Sequence, residues 1–180
     1  NYQVTGRGIS IIQKAGLLVM KSIEIDNIRK FTSALFVGET FDSFCVTEAS
    51  FSTLVDISID GHINREFLGE EAVQDEKSDD TAVWKKLKPL CYEIIKGQKV
   101  PLRFKIVFIM PKTMTASFLA AEHLNSSPED INGLFLNIKF ESNKLSCTTG
   151  TSLKTFSLDK SVEEAWDRYA AEFLRQNGCL

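Results

Sequence analysis

Hydrophobic and polar residues alternate along several short stretches of the chain, as they do in strands that bury one face. The clearest cases are Leu102 to Ile109 and Leu134 to Phe140. Two further stretches, Phe41 to Thr47 and Phe51 to Ile59, predict a strand pair that ends at the turn Asp60-Gly61. The remaining predicted strands are Ile23 to Ile25, His62 to Leu68, Leu145 to Thr149 and Leu153 to Leu158, with Gly150 breaking the chain before the last of them.

Other stretches show the spacing of amphipathic helices, with apolar residues three or four positions apart. Their expected starts or N-caps are Asp26, Asp79 or Asp80, Pro111, and Ser161, the last in a capping box with Glu164. Pro89 is expected to kink the second helix or to start another, because it has no amide hydrogen to donate. The last helix carries the clearest apolar stripe, made of Val162, Ala165, Trp166, Tyr169, Phe173 and Leu174.

These elements predict an α+β fold in which amphipathic helices cover one side of a mostly antiparallel sheet. The order strand, helix, strand, strand, strand occurs twice, in Ile23 to Leu68 and in Arg103 to Leu158, so a duplicated β-α-β-β-β unit is one interpretation. That topology resembles a single domain of the DNA sliding clamps, which are built from duplicated units of this kind. The chain departs from the clamps in supplying one such domain and an extra helix at Asp80 to Gly97.

The first nineteen residues differ from the rest, with three glycines, two basic residues and no acid. We interpret residues 1–19 as a leader or translated upstream sequence outside the fold, and residues 20–180 as a single domain that starts at Met20. A signal peptide is the alternative, but Lys14 and the lack of a cleavage site argue against it. Without the leader the net charge moves from −3 to −5.

Several strings of residues resemble a family of short, uncharacterised proteins from clostridial bacteria. They are Phe41-Asp42-Ser43-Phe44, Ile59 to Phe67, Asn132 to Ile138, and Cys147 to Lys154. The family is known only as a domain of unknown function that begins near Met20. The resemblance therefore supports the Met20 start and implies no mechanism.

Composition narrows the possible functions. The 21 basic and 24 acidic residues lack the basic excess of a dedicated nucleic-acid or membrane-surface binder. The cysteines Cys45, Cys91, Cys147 and Cys179 form no C-x-x-C pair, so we expect reduced thiols in the cytoplasm and no metal site. The longest apolar runs fall short of the roughly 18 residues that a membrane span needs. No cofactor motif is present, and we expect no cofactor.

The nearest set to a catalytic site is Asp60, His62 and Arg65. Positions two apart on a strand share a face, and a histidine held by a carboxylate can act as a general base. A small hydrolase or transferase that uses His62 with Asp60 and a hydroxyl such as that of Thr149 is the enzymatic alternative. The simpler interpretation is a turn with an exposed histidine beside it.

A hydroxyl-rich run around Gly150 is a weak candidate for phosphate binding through backbone amides. Its residues are Thr149, Gly150, Thr151 and Ser152. The run lacks the following helix of a P-loop, and hairpin turns and sheet faces use the same residue types.

Basic residues on two helices and one strand are candidates for a binding face. They are Arg29, Lys30, Lys85, Lys86, Lys88, Arg103 and Lys105, with Lys112 nearby. Such a face would bind the phosphates of nucleic acid with salt-sensitive affinity, whereas a merely solvated surface would not. The sequence therefore favours a non-catalytic, clamp-like interaction module that binds protein or nucleic acid.

Overall fold

The structure, a computed structural model, describes residues 9–14, 17–68 and 79–180. Within these residues, helices combine with one antiparallel sheet of seven strands, which confirms the predicted α+β class. The strands are β1 (Ile9–Lys14), β2 (Leu17–Ile25), β3 (Cys45–Ser52), β4 (Asp56–Asp60), β5 (Arg103–Ile109), β6 (Ile131–Glu141) and β7 (Lys144–Leu153). The helices are α1 (Ile28–Phe36), α2 (Arg65–Leu68), α3 (Trp84–Ile95), α4 (Lys112–Ala121) and α5 (Ser161–Gln176), with a 3-10 turn at Pro128–Asp130. Across the sheet the order is β1-β2-β7-β6-β5-β3-β4.

Helices α1, α3, α4 and α5 pack against one face of the sheet, which we call the covered face. Phe36 of α1 meets Phe104 edge to face at 5.5 Å between ring centres, and Trp84 of α3 meets Phe108 at 5.4 Å. On α5, Trp166 donates from Nε1 to the carbonyl of Phe135 at 2.8 Å. Phe118 of α4 packs edge to face on Trp166. The predicted arrangement of helices on one side is therefore confirmed.

Aromatic side chains dominate the core on the covered face. Phe108 is fully buried among Phe41, Phe44 and Trp84. The buried indole of Trp84 donates to the carbonyl of Leu35 at 2.8 Å, so its one polar atom has a partner. Apolar contacts of this density provide most of the driving force for the fold.

The hairpin of β6 and β7 is the longest pairing in the sheet. Its turn residues Ser142 and Asn143 have φ values of 53° and 59°, as a two-residue turn of the favoured twist requires. The ladder continues past Gly150 to the pair of Gly133 with Ser152 and, after a register shift between Ile131 and Gly133, to the pair of Ile131 with Leu153. The predicted break at Gly150 and the separate strand from Leu153 to Leu158 are therefore wrong.

The hairpin of β3 and β4 is formed by other residues than the sequence predicted. Its turn lies at residues 53–55, whereas the sequence predicted continuous strand there, and residues 41–44 form a turn instead of strand. The third predicted strand, His62 to Leu68, is wrong as well. His62 makes one isolated bridge to Thr81, and the chain then enters the short helix α2.

Three predicted helix caps are wrong, although the helices themselves form. Asn27, one residue after the predicted Asp26, accepts from the amide of Lys30 and caps α1. Helix α3 follows Val83 with no side-chain cap and runs through Pro89 as one helix. The capping box at Ser161 is not formed, because α5 begins one residue earlier than predicted, with Lys160 as its N-cap. Asp159 accepts from the amide of Ser161 instead.

The two predicted repeat units differ in strand pairing. Strands β5, β6 and β7 of the second segment are neighbours in the sheet, whereas β2 of the first segment lies far from β3 and β4. Neither segment contains the predicted fifth element, because β4 and β7 each end without a following strand. The shared element order therefore does not extend to a shared sheet arrangement.

Part of the predicted leader forms a strand at the edge of the sheet. Residues 9–14 form β1 and pair with β2, with Ile9 opposite Ile23. Residues 1–8, 15–16 and most of the acidic segment 69–80 lie outside the described residues. The division of the chain at Met20 stays a prediction.

Candidate functional site

The second face of the sheet, which we call the open face, carries polar side chains in a regular arrangement. Residues directly opposite one another form a line across six strands, from β4 to β2. In order they are Ser58, Ser50, Lys105, Lys139, Ser146 and Glu24. All six side chains are exposed or half-buried. The sheet thus fixes a line of hydroxyl, basic and acidic groups on one surface.

Two lysines face each other at the centre of the open face. Lys105 and Lys139 are direct cross-strand neighbours, a placement that is unfavourable for like charges unless each has a counter-ion. Each one has a counter-ion: Lys105 pairs with Glu48, and Nζ of Lys139 lies 2.7 Å from Oε2 of Glu141. The hydrogen bond from Lys139 lowers the pKa of Glu141. The centre of the open face therefore presents alternating charges and not a basic patch.

One end of the open face is apolar and flat. Ile109, Phe135 and Gly150 are opposite one another in register, and the ring of Phe135 lies over Gly133. A Cβ atom at Gly133 would stand 2.6 Å from that ring, so a side chain at position 133 would displace the ring from its present place.

A shallow cavity of about 180 Å³ lies at the other end of the open face. Ser52 donates to Asp56 at 2.5 Å beside it, and Nη2 of Arg103 stands 3.5 Å from the same carboxylate oxygen. Pockets that bind drug-sized ligands measure about 300–1,000 Å³, so this recess is too small for such a ligand. It also lacks the apolar lining of a typical small-molecule site. Its lining residues are Ser50, Phe51, Ser52, Asp56, Ile57, Ser58 and Arg103.

The structure brings His62 and Asp60 together and leaves Arg65 apart. Nδ1 of His62 lies 2.6 Å from Oδ1 of Asp60, and the His62 amide donates to the same oxygen at 3.0 Å. The amide is the larger cause, and the imidazole the next, of a lowered pKa at Asp60. Arg65 instead donates to Asp80 at 2.8 Å.

The side chains of His62 and Asp60 lie on the surface and not in a pocket. The side chains of His62 and Asp60 are 63% and 78% exposed, so water reaches both freely. Thr149, considered as a hydroxyl partner, is fully buried in β7 and donates to Asp167. The pair therefore lies on an open surface without the third group that the enzymatic alternative needs.

The phosphate candidates lie inside strand β7 and form no loop. Each is paired with β6, with Gly150 opposite Phe135 and Thr151 opposite Leu134. Thr149 and Thr151 are buried on the covered face, while Gly150 and Ser152 lie on the open face. The four residues therefore do not present their amides together to one anion.

The basic candidates do not form one surface. Arg103 and Lys105 lie on the open face, whereas α1 and α3, which carry the other five, pack on the covered face. Nζ of Lys88 is largely withdrawn from solvent, 2.5 Å from Asp42 and 2.6 Å from the carbonyl of Gly38. Lys112 lies 3.2 Å from Asp80. The remaining candidates, Arg29, Lys30, Lys85 and Lys86, are exposed on their helices.

Two features of the site were missed by sequence reasoning. Lys139 and Ser146 are polar positions in alternating strands, so the period of two could have placed them on the exposed face. A polar cluster beneath α5 was missed because it requires tertiary contacts. In it, the carboxylate of Asp167 accepts a hydrogen bond from the hydroxyl of Thr149. Burial is the main cause of the raised pKa of Asp167. Glu163, one turn earlier, is 3% exposed, and its Oε2 atom has no hydrogen-bond partner among the described residues.

The cysteines show no sign of activation. All four are free, as predicted, and all four are buried. Burial raises the pKa of Cys45 to about 11 and that of Cys91 to about 12, which keeps both protonated near neutral pH.

The described residues contain no group of three or more metal-binding side chains. No helix in the described part of the chain has the length and apolar character to cross a membrane.

Comparison with known proteins gives one match. A family model, described as a family of unknown function (DUF5721), matches residues 34–179. Searches among curated proteins and among solved structures find no match. The expected kinship with an uncharacterised family is thus supported, while the clostridial source and the clamp-like topology stay predictions.

Proposed function

The chain belongs to the family of unknown function DUF5721, and we propose that it is a non-catalytic interaction module that binds another protein through the open face of its sheet. The observation that carries the proposal is the line of directly opposed polar residues from Ser58 to Glu24. With the helices on the covered face, this line lies on a surface that none of them packs against. A rigid sheet holds its groups in fixed positions, which lowers the entropic cost of binding.

The charges of the open face favour a protein over a polyanion. Lys105, Lys139 and Arg103 each have an acidic neighbour: Glu48, Glu141 and Asp56. A nucleic acid would have to displace these carboxylates, whereas a protein can offer charges of both signs. The apolar end around Phe135 supplies a site for an aromatic or aliphatic contact.

A site-specific photo-crosslink tests the protein-binding proposal. We would place benzoylphenylalanine at Ser146 on the open face and, as the matched control, at Lys86 on α3, in cells that produce the protein. We expect a discrete protein adduct from position 146, weaker or absent at position 86, and lost in the variant Lys105→Glu/Lys139→Glu. Equal adducts at both positions, or adducts that survive charge reversal, would refute the proposal.

The nucleic-acid version has less support, because the basic candidates are divided between two faces and Lys88 is ion-paired. Fluorescence anisotropy with single-stranded and duplex DNA, at low and moderate salt, tests it directly. We expect no salt-sensitive binding at micromolar protein. Salt-sensitive binding that Lys139→Glu abolishes would replace the protein partner with a nucleic acid.

We infer a cytoplasmic location from the four free thiols, which suit a reducing compartment.

A further inference from the structure

Strand β4 stands at one end of the sheet order, and no described strand pairs with its outer edge. Among the described residues, Asp56 to Asp60 pair only with β3, on the inner side. An edge of this kind presents amide and carbonyl groups that another strand can bind. The outer edge of β4 is therefore a potential site of strand addition.

Hydrogen bonds beside the β3–β4 ladder show which groups of β4 point outward. Ser52 accepts on its β5 side from the amide of Leu102, at 2.9 Å. In an antiparallel sheet the bonding side alternates from residue to residue, so Asp56, directly opposite Ser52, directs its backbone groups away from β3. The same alternation directs those of Ser58 and Asp60 outward.

The side chains at these outward positions are Asp56, Ser58 and Asp60, all exposed on the open face. Ile57 and Ile59 between them are half-buried on the covered side. A strand added here would place every second side chain beside a carboxylate or hydroxyl group. The others would lie beside isoleucine. The edge therefore favours an added strand that alternates basic and aliphatic residues.

A second copy of the chain fits this edge poorly. Two β4 strands related by a twofold axis through Ser58 would set Asp56 of one copy opposite Asp60 of the other, twice. Like charges directly opposite one another are destabilising in a sheet. Charge complementarity thus favours a different protein as the occupant.

The turn before β4 adds an apolar contact at one end of the edge. Leu54 is 99% exposed, and Val55 is also exposed. An added strand that extends past Asp56 can cover these side chains with an apolar residue.

We propose that the outer edge of β4 binds an extended segment of a partner protein, with lysine or arginine at alternate positions and an apolar residue at the end near Leu54. The segment adds to the sheet as a further strand, and main-chain hydrogen bonds supply much of the affinity. The inference rests on the proposed function only in taking the partner to be a protein.

The probe is a fluorescein-labelled peptide of alternating lysine and valine with a leucine at one end, titrated with the full chain. We expect saturable binding, measured by fluorescence anisotropy. A control peptide of the same composition, with its lysines contiguous, should bind with at least tenfold lower affinity. Ser58→Pro removes one outward amide and should weaken binding at least tenfold, since proline is tolerated on sheet edges. Ser58→Ala keeps that amide and should stay within twofold of the wild type.

Two further measurements complete the test. If Ser58→Pro does not fold, a peptide with N-methyl groups on the amides facing β4 replaces it and should bind the wild type at least tenfold more weakly. Equal affinity for the methylated and unmethylated peptides, or no binding of the alternating peptide, overturns the inference. Lys86→Ala, exposed on α3, should leave peptide affinity within twofold. Cross-linking at Ser146 can succeed while the peptide fails, and the reverse, so the two proposals fail separately.

Discussion

The two faces of the sheet are held in place by different interactions. On the covered face, Phe108 is fully buried among aromatic rings, and Trp84 satisfies its only donor. On the open face, Lys105 and Lys139 are held by register and by exposed ion pairs. Burial stabilises strongly, whereas exposed ion pairs contribute about 0–1 kcal/mol. The open face can therefore change its chemistry with little effect on the fold, as suits a recognition surface.

The largest predicted effect removes packing from the covered face. Phe108→Ala deletes a ring that touches Phe41, Phe44 and Trp84, and we expect the free energy of unfolding to fall by about 3–5 kcal/mol. Lys105→Ala, on the same strand and the opposite face, is the matched control and should change it by less than about 1 kcal/mol. Urea titrations followed by tryptophan fluorescence measure both. Similar losses for the two variants would contradict the division between the faces.

Alternation along the chain predicted the strands whose two faces differ most in polarity. In β5 and β6, charged residues alternate with buried ones, so Lys105 and Lys139 are separated from Phe104 and Ile138 by the period of two alone. The α5 stripe was predicted for the same reason, because Trp166 and Leu174 are buried. Local patterns therefore sufficed for these three elements.

Predictions failed where tertiary contacts override the local pattern. The turn at residues 53–55 contains Leu54 and Val55 and no glycine or proline, so its sequence looks like strand. Gly61 was taken as a turn residue, yet a Cβ there would stand 1.8 Å from the carbonyl oxygen of Val46. A close backbone approach, which the sequence does not encode locally, requires that glycine. The same limit applies to the candidate site, because only long-range register sets Lys105 opposite Lys139.

A second prediction concerns a charge on the covered side. Lys88 and Asp42 are each only 13% exposed, and Lys88 also donates to the carbonyl of Gly38. Lys88→Met leaves Asp42 without its counter-ion, and we expect a loss of about 2 kcal/mol in unfolding free energy. Lys86→Met, exposed on the same helix, is the control and should be nearly neutral. If Lys88→Met is equally neutral, this ion pair behaves like those on the open face.

A third prediction uses pH to probe the polar cluster beneath α5. Burial raises the pKa of Asp167 above its ordinary 3.8, with Glu163 and Glu164 raising it further and Lys21 and Thr149 opposing them. A raised pKa means that protonation of Asp167 favours the fold. This contribution is full below pH 3.8 and is lost as the pH rises through the folded-state pKa.

Asp167→Asn cannot ionise and so avoids that loss. We expect its melting temperature, relative to the wild type, to increase as the pH rises from 3.5 to 7. Glu172→Gln, exposed on the same helix, should show no such trend. A constant difference between Asp167→Asn and the wild type across this range would show that folding does not raise the pKa of Asp167.

The smallest predicted effect lies on the exposed pair of His62 and Asp60. The amide of residue 62 is the larger cause of the lowered pKa of Asp60, and that amide remains in His62→Ala. The pKa of Asp60 should therefore rise only part of the way back to 3.8, as an NMR titration of its side-chain carboxyl carbon will show. Because both side chains are exposed, the unfolding free energy should stay within about 0.5 kcal/mol of the wild type. A full return to 3.8 would mean that the imidazole, and not the backbone amide, lowers the pKa of Asp60, and would strengthen the case for His62 and Asp60 as a chemically coupled pair.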